Sequence, residues 1–342
     1  MAKRIVLCFD GTWNRPGDEN VDESQKVETN VRRFYEAVAE QSPDGKPQFK
    51  WYDQGVGTHW YDHFIGGVTG LGLEINTMEG YKILAKNYED GDEVFVLGFS
   101  RGAYTARSLV GFLRNCGLVN KGFVDFKVGL AYGIYRTRDE GPDSMIAKMF
   151  RRQFSREIKI KFLGVWDTVG ALGIPLKLFK DANVKFYEFH DTRLSGIVEN
   201  AFHAVAIDEH REPYDVCLWN PDHNAQQRLE QRWFVGAHSD VGGGYKEREL
   251  SDIPLRWMQD RAREIGLGFD SARVPVISDQ NARGVIHDSY GDFLKGIYAK
   301  RFPRYYRAFG KTAFGNEDLD ESVRRRIQEQ VNAYQPLNPG IL

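Results

Sequence analysis

The sequence predicts an α/β fold built on a mostly parallel, doubly wound sheet, and two observations support this. Short runs of β-branched and aromatic residues alternate along the chain with longer segments whose apolar residues recur at helical spacing. Polar clusters containing Gly, Asp or Ser repeatedly follow the short runs, at the sheet edge where open α/β folds bind their ligands. The 342 residues suit a single domain, over 1–342, that carries insertions.

The first third of the chain alternates strands and helices. The predicted strands are Arg4–Phe9, Gln48–Tyr52 and a run that contains Val94–Val96. The predicted helices are Val31–Ala39, Leu73–Asn87 and Ala103–Leu113. Thr29 and Asn30 supply a cap for the first of these helices.

The rest of the chain is less regular. An aromatic and basic stretch at about 121–156 predicts a helical, lid-like insertion. We then expect a strand over Ile158–Val165, a helical run through His203–Ile207 and a final strand over Arg232–Val235. The tail after about 287 is predicted to be irregular and helical.

Residues 93–107, EVFVLGFSRGAYTAR, contain Gly98, Ser100 and Gly102 in the pattern G-x-S-x-G. A strand that turns at once into a helix holds its middle residue in a strained conformation, and flanking glycines let the two backbones approach. The alternative is a Gly-rich turn in which Ser100 caps the helix or helps to bind phosphate. The flanking strand and helix favour a nucleophile elbow, with Ser100 as the nucleophile.

A serine nucleophile needs a base, and the base needs a carboxylate that fixes its tautomer. Asp167 and His238 each follow a predicted strand, and the order serine, acid, histidine is that of α/β-hydrolases. The fold class is therefore expected to be α/β-hydrolase-like. Asp240 or Asp208 could replace Asp167 as the acid, and His238 is preferred among eight histidines because a Gly-rich loop follows it.

Two backbone N–H groups are expected to hold the oxyanion. Arg101 should supply one, and Gly11 or Thr12, after the first strand, the other. Asp10 is expected to turn away, bonding loop N–H groups or an arginine such as Arg101 or Arg107. Asp10 with Asp240 could instead bind a divalent cation, but so scattered a pair predicts no metal and no cofactor.

Composition excludes several classes. Lys and Arg number 46 against 48 Asp and Glu, so no basic field indicates nucleic acid. The three cysteines lie far apart, as in a reduced, cytoplasmic chain. The basic start precedes only a short apolar run, which predicts a strand and not a signal peptide, and no run reaches the roughly twenty apolar residues of a bilayer span. Any contact with lipid is therefore expected at a membrane surface.

Five blocks carry a resemblance to a known family. They are DGTWN at 10–14, GFSRGAYTAR at 98–107, GVWDTVGALGIP at 164–175, AIDEHR at 206–211 and FVGAHSDVGGGY at 234–245. Together they resemble the α/β-hydrolase domain, formerly of unknown function, that includes the first class of type VI secretion lipase effectors. The resemblance implies a Ser-Asp-His hydrolase at Ser100, Asp167 and His238, acting as a phospholipase A, with export by the secretion system and a secretion-spike partner.

The expected activity is hydrolysis of a carboxylic ester through an acyl-enzyme, with membrane glycerophospholipid as the favoured substrate. A soluble carboxylesterase, a metal-assisted hydrolase and an inactive binding module on the same fold are the alternatives. The FDGT run at 9–12 is similar to the start of haloacid dehalogenase-type phosphatases, but these need an aspartate where this chain has Cys8.

Overall fold

Seven strands of the described chain form one sheet in which every neighbouring pair is parallel. The structure is a computed structural model that describes residues 2–11, 27–55, 69–137, 141–170, 193–220, 226–312 and 316–341. The strands are β1 (Arg4–Phe9), β2 (Gln48–Asp53), β3 (Glu93–Phe99), β4 (Phe162–Trp166), β5 (Asn200–Ala206), β6 (Arg228–Phe234) and β7 (Glu317–Leu319). Their order in the sheet is β2-β1-β3-β4-β5-β6-β7.

The strand order reverses between β1 and β3, and such a switch point leaves a crevice at the carboxyl ends of the strands. The helices are α1 (Asn30–Ala37), α2 (Thr69–Asn87), α3 (Arg101–Cys116), α4 (Val124–Arg136), α5 (Met145–Phe154), α6 (His238–Gly242), α7 (Glu249–Glu264), α8 (Ser289–Asp292), α9 (Ile297–Arg301) and α10 (Glu321–Gln328). No helix in the described ranges is both long enough and apolar enough to span a bilayer.

Both faces of the sheet are covered by helices. On one face, Ile5, Leu7 and Phe9 of β1 belong to a core that includes buried residues of α2, α3, α4 and α5. On the other face, Val6 and Cys8 belong to a core with α1 and α7. A parallel strand buried on both sides needs apolar residues at every position, which is why β1 reads as an unbroken apolar run.

The C-terminal tail completes the far edge of the sheet. Its strand β7 pairs with β6, and Val323 of α10 packs in a third core cluster with Val205 and Trp233. The sequence did not predict this strand. Three residues with the sequence EDL carry almost no local strand signal, so their pairing depends on the tertiary structure.

The predicted α/β fold class is confirmed, but three predicted elements differ from the structure. The strand expected over Ile158–Val165 begins only at Phe162 and ends at Trp166. Residues 203–207 were expected to be helical, whereas His203 lies in the middle of β5. A short run buried on both faces has no period that separates a strand from a helix. The strand predicted over Arg232–Val235 begins at Arg228 instead and is followed by β7, so it is not the last.

The stretch predicted as an insertion contains α4 and α5. Just before α4 and just after α5, the chain segments Leu118–Val119 and Ser155–Arg156 pair with each other in antiparallel fashion. Both helices pack on the α2 and α3 side of the sheet through buried residues such as Val128 and Phe150. Their outer sides carry exposed apolar side chains.

Candidate active site

Ser100 lies on the turn between β3 and α3. Its backbone has φ 56° and ψ −121°, which is a strained conformation for a residue with a side chain. A Cβ at Gly98 would lie 2.4 Å from the Gly102 oxygen, and a Cβ at Gly102 would lie 2.1 Å from the Phe9 oxygen. The two glycines are therefore required by the close approach of α3 to β1 and β3.

The ring of His238 is hydrogen bonded to Ser100. His238 is the first residue of α6, just after β6, and its Nε2 lies 2.8 Å from the Ser100 Oγ. The ring packs between Phe99, with centroids 4.6 Å apart, and Tyr214, at 5.4 Å. These contacts restrict the orientation of the imidazole.

Asp167 contacts the other nitrogen of that ring. It follows β4 with φ 38°, and its Oδ2 lies 2.5 Å from His238 Nδ1. Its Oδ1 accepts the N–H of Ala206 at 2.9 Å. Ser100, His238 and Asp167 thus form a continuous hydrogen-bonded series, and all three are buried, with at most 2% of each residue exposed.

A guanidinium that the sequence reasoning missed holds Asp167. Arg307 donates from Nη1 to Oδ1 at 2.6 Å and from Nη2 to Oδ2 at 3.0 Å, and both side chains are fully buried. Burial acts to raise the pKa of Asp167, but the charge of Arg307 and the hydrogen bond from His238 hold it well below its usual range. The carboxylate is therefore ionised beside the imidazole.

A second ion pair lies behind His238. Glu209 is bound by Arg211 through two hydrogen bonds of 2.8 and 2.7 Å, and Ser289 donates to the same carboxylate at 3.0 Å. Although burial acts to raise the pKa of Glu209, the charge of Arg211 lowers it to about 2. The block AIDEHR contains both residues, yet nothing in their spacing pointed to a place beside the histidine.

Of the three predicted oxyanion donors, Arg101 and Gly11 lie within the described residues and Thr12 does not. The N–H of Arg101 lies in the first turn of α3, where backbone donors have no partner within the helix. The Gly11 N–H donates to Asp10 Oδ1 at 2.7 Å, and Thr12 lies outside the described residues. The second donor stays a prediction.

The Asp10 carboxylate is hydrogen bonded to two neighbouring hydroxyls and to the N–H of Gly11. Its Oδ2 accepts from Thr29 at 2.6 Å and from Tyr52 at 2.5 Å, and neither Arg101 nor Arg107 is among these partners. Burial raises the pKa of Asp10 to about 6, with the three hydrogen bonds opposing this.

The alternative acids have other partners. Asp240 accepts the Ala237 N–H at 2.9 Å and contacts His287 Nδ1 at 2.6 Å, so it braces the loop that carries His238. Asp208 accepts the Gly236 N–H at 2.7 Å. Within the described ranges, no group of three or more His, Cys, Asp or Glu side chains is arranged to hold a metal ion.

The parallel sheet, the switch point between β1 and β3 and the serine on a sharp turn after β3 define the α/β-hydrolase-like class. Residues 3–261 match the family model described as the catalytic domain of Tle1-like phospholipase effectors of the type VI secretion system. The match covers well over half of the chain, and the chain belongs to this family. The resemblance found in the sequence is therefore confirmed.

Three proteins that are similar to this chain are longer than it, and the similarity spans about a third to a half of their lengths. The uncharacterized protein YEL023C of Saccharomyces cerevisiae is 30% identical over 244 residues, which are 64% of this chain and 33% of that protein. A crystal structure of an uncharacterized Pseudomonas aeruginosa protein aligns with 82% of this chain and 50% of its own, at 20% identity and a TM-score of 0.48. The Tle1 effector bound to the VgrG spike aligns over 72% and 52%, at 22% identity and a TM-score of 0.42.

Proposed function

We propose that this chain is a serine hydrolase that cleaves carboxylic esters of glycerophospholipids, in the manner of a phospholipase A. The observation that carries the proposal is the hydrogen-bonded series Ser100–His238–Asp167 at the carboxyl edge of a parallel sheet. The membership of a family of phospholipase effectors supports the choice of substrate.

In the proposed reaction, His238 Nε2 takes the proton of Ser100 while the Oγ attacks the ester carbonyl. Asp167, ionised and bonded to Nδ1, holds the ring with Nε2 as the acceptor and stabilises the imidazolium that forms. His238 then gives the proton to the leaving alcohol, which leaves an acyl group on Ser100. Water, activated by the same histidine, releases the fatty acid in a second cycle.

The negative charge of the tetrahedral intermediate needs donors that are already in place. We assign the first to the Arg101 N–H, at the start of α3, where the helix dipole also favours an anion. The second is assigned to the loop after β1, at Gly11 or Thr12. Gly11 would have to release Asp10, whereas the Thr12 N–H would leave that bond intact.

A fluorophosphonate probe tests the nucleophile, since it labels activated serines. We expect the wild type to be labelled and Ser100→Ala and His238→Ala to be unlabelled, while Ser271→Ala, at an exposed serine, retains labelling. Labelling that survives in Ser100→Ala would contradict the assignment. Ester turnover that is abolished by a chelator but intact in His238→Ala would favour a metal-assisted reaction instead.

Mass spectrometry of lipid extracts tests the substrate. Extracts incubated with the wild type should gain free fatty acid and lysophospholipid, and those incubated with Ser100→Ala should not. If the wild type hydrolyses p-nitrophenyl butyrate but releases nothing from the lipids, the chain is a soluble carboxylesterase and the phospholipase assignment is wrong. Absence of both activities and of labelling would indicate a binding module.

The outer side of α4 and α5 supports contact with a membrane. Phe126 is 81% exposed, Met145 76% and Met149 62%, and Leu130 and Ile146 are also exposed. We call these five residues the α4–α5 face. Water-exposed helix faces usually carry charges, and apolar patches of this kind usually mark an interaction surface.

The charges around the α4–α5 face favour an anionic bilayer as its partner. The sequences of the two helices contain five Lys or Arg residues and one acidic residue, Asp125. Three of these cations are paired with acidic side chains outside the two helices: Arg136, Lys148 and Arg151. Apolar side chains that enter the headgroup region, with cations beside them, are the arrangement of interfacial helices. The proposed substrate lies in the same surface.

Vesicle flotation tests this contact. The variant Phe126→Ser/Met149→Ser should bind vesicles of phosphatidylglycerol and phosphatidylcholine at least about tenfold more weakly than the wild type. Val276→Ser, at a side chain 86% exposed elsewhere, is the matched control and should bind normally. Equal binding by both variants and the wild type would contradict a role for the α4–α5 face.

Secretion and a spike partner are proposed from the family alone. The family model is described as that of Tle1-like phospholipase effectors of the type VI secretion system, and the similar Tle1 effector has been solved bound to the VgrG spike. We propose that the protein containing this chain is made in the cytoplasm and exported in the same way. Its presence in culture supernatants should then depend on a working secretion apparatus.

A further inference from the structure

The Arg307 side chain occupies an unusual position for a residue of the C-terminal tail. It lies 140 residues from Asp167 in the chain and beyond the residues matched by the family model. Its guanidinium is nevertheless fully buried at the end of β4 and β5, where it also donates to the Ala206 oxygen at 2.8 Å and to the Tyr214 oxygen.

The two hydrogen bonds to Asp167 fix the plane of the carboxylate. A guanidinium fork that binds both oxygens leaves the carboxylate little freedom to rotate. Oδ2 accepts from Arg307 and contacts His238 Nδ1 at the same time, at 3.0 and 2.5 Å. The direction in which Asp167 meets the imidazole therefore depends on Arg307 together with the Ala206 N–H, which donates to Oδ1 at 2.9 Å.

The charge of Arg307 matters as much as its geometry. Burial favours the protonated form of Asp167, the charge of Arg307 opposes this, and a protonated acid cannot stabilise an imidazolium. The other titratable groups whose charges interact with Asp167 or Arg307 are His238, His203, Glu209, Asp215, Cys217 and Tyr305. Arg307 is the cation that contacts the Asp167 carboxylate directly.

We propose that Arg307 is a positioning residue for the reaction: the tail inserts its guanidinium beside Asp167, binds both carboxylate oxygens and directs the carboxylate at His238. This inference rests on the proposed function, because it takes Asp167 and His238 as catalytic. It also means that the family's catalytic machinery, in this chain, is completed by residues outside the segment that defines the family.

Kinetics of Arg307→Lys and Arg307→Gln test the proposal, with p-nitrophenyl butyrate as the substrate. We expect kcat to fall about 100-fold in Arg307→Gln, with KM within about twofold, because binding energy is not what is lost. Arg307→Lys should recover part of kcat, since it restores the charge without the fork. In Arg307→Gln the acid limb of the pH–rate profile should move to higher pH, because Asp167 then protonates more easily.

Arg326 provides the matched control. It is a second buried arginine of the tail, and its guanidinium donates to the oxygens of Ala282 and Gly284, away from Asp167. Arg326→Gln should lower thermal stability but leave the pH–rate profile unchanged. If Arg307→Gln is folded and has the wild-type kcat and profile, or if both variants move the profile equally, the proposal is overturned.

A proton NMR measurement separates this proposal from the proposed function. The Nδ1 proton in a short bond between His238 and Asp167 should give a far-downfield signal in the wild type. The signal should shift or vanish in Arg307→Gln or Arg307→Lys and persist in Arg326→Gln. If the wild type proves inactive yet the signal changes in this way, the hydrolase assignment fails, whereas the placement of Asp167 against His238 by Arg307 is upheld. An unchanged signal overturns the positioning role.

Discussion

The approach of α3 to β1 gives a sharp prediction for Gly102→Ala. The added Cβ would lie 2.1 Å from the Phe9 oxygen, 2.6 Å from the Phe9 carbonyl carbon and 2.8 Å from the Asp10 carbonyl carbon. All three atoms belong to the backbone at the end of β1, which is bonded to a strand on each side and cannot move away. Forcing a methyl group into such a place costs about 3 kcal/mol.

Two assays measure the effect of this change. For a chain of 342 residues, a loss of about 3 kcal/mol should lower Tm by roughly 4 °C, because the entropy of unfolding is about 2.1 cal/mol/K per residue. The helix can escape the clash only by shifting, and a shift of about 1 Å at Ser100 should slow ester hydrolysis about 100-fold. Differential scanning calorimetry and p-nitrophenyl butyrate turnover give the two numbers on one sample.

Gly129→Ala is the matched control. Gly129 is also inside a helix, but a Cβ there would meet nothing within 4 Å. The exchange should raise stability by about 0.5–1 kcal/mol, because alanine loses less backbone entropy than glycine. A steric requirement for glycine at residue 102 would be refuted if Gly102→Ala matched the wild type in Tm and rate, or if Gly129→Ala were equally harmful.

Two buried carboxyls give opposite dependences of stability on pH. Burial raises the pKa of Asp10 to about 6, so the contribution of Asp10 to stability is full below pH 3.8 and is lost as the pH rises through 6. Asp10→Asn should remove this pH dependence of the free energy of unfolding, as measured by urea unfolding at several pH values. Burial acts to raise the pKa of Glu209, but the charge of Arg211 outweighs this and lowers the pKa from 4.5 to about 2. This corresponds to on the order of 3 kcal/mol, present above pH 4.5 and lost as the pH falls through 2. Glu209→Gln should therefore be less stable by about that amount at pH 7, and the gap in the same unfolding curves should narrow toward pH 3.

The sequence allowed the turn at Ser100 to be predicted because its determinants are local. Gly98, Ser100 and Gly102 lie within five residues, between a strand and a helix whose patterns are clear. Asp167 and His238 could be chosen because parallel strands bring their carboxyl ends to one edge, so a polar residue just after a strand has a known place. The structure brings these two side chains and Ser100 within hydrogen-bonding distance.

What depends on distant parts of the chain could not be predicted. Arg307 lies in an aromatic and basic stretch that offers several arginines, and only the fold shows which of them is buried against Asp167. His203 appeared helical because the residues around it are apolar on both sides, which is the consequence of a central strand and not of a helical period. The partners of Asp10, at Thr29 and Tyr52, likewise come from separate elements.

The short strand β7 has a consequence for where this protein can be cut. It covers the edge of β6 by pairing with Gln231–Trp233. Backbone hydrogen bonds from the Gln231 N–H to the Asn316 oxygen and from the Asp320 N–H to the Trp233 oxygen extend this pairing at both ends. A fragment that stops at residue 261, the limit of the family match, would lack β7 and so expose the edge of β6 together with the apolar ring of Trp233. An unpaired edge strand can pair with strands of other chains, so light scattering should detect aggregates of such a fragment. In the intact chain, the tail prevents this aggregation by covering the edge.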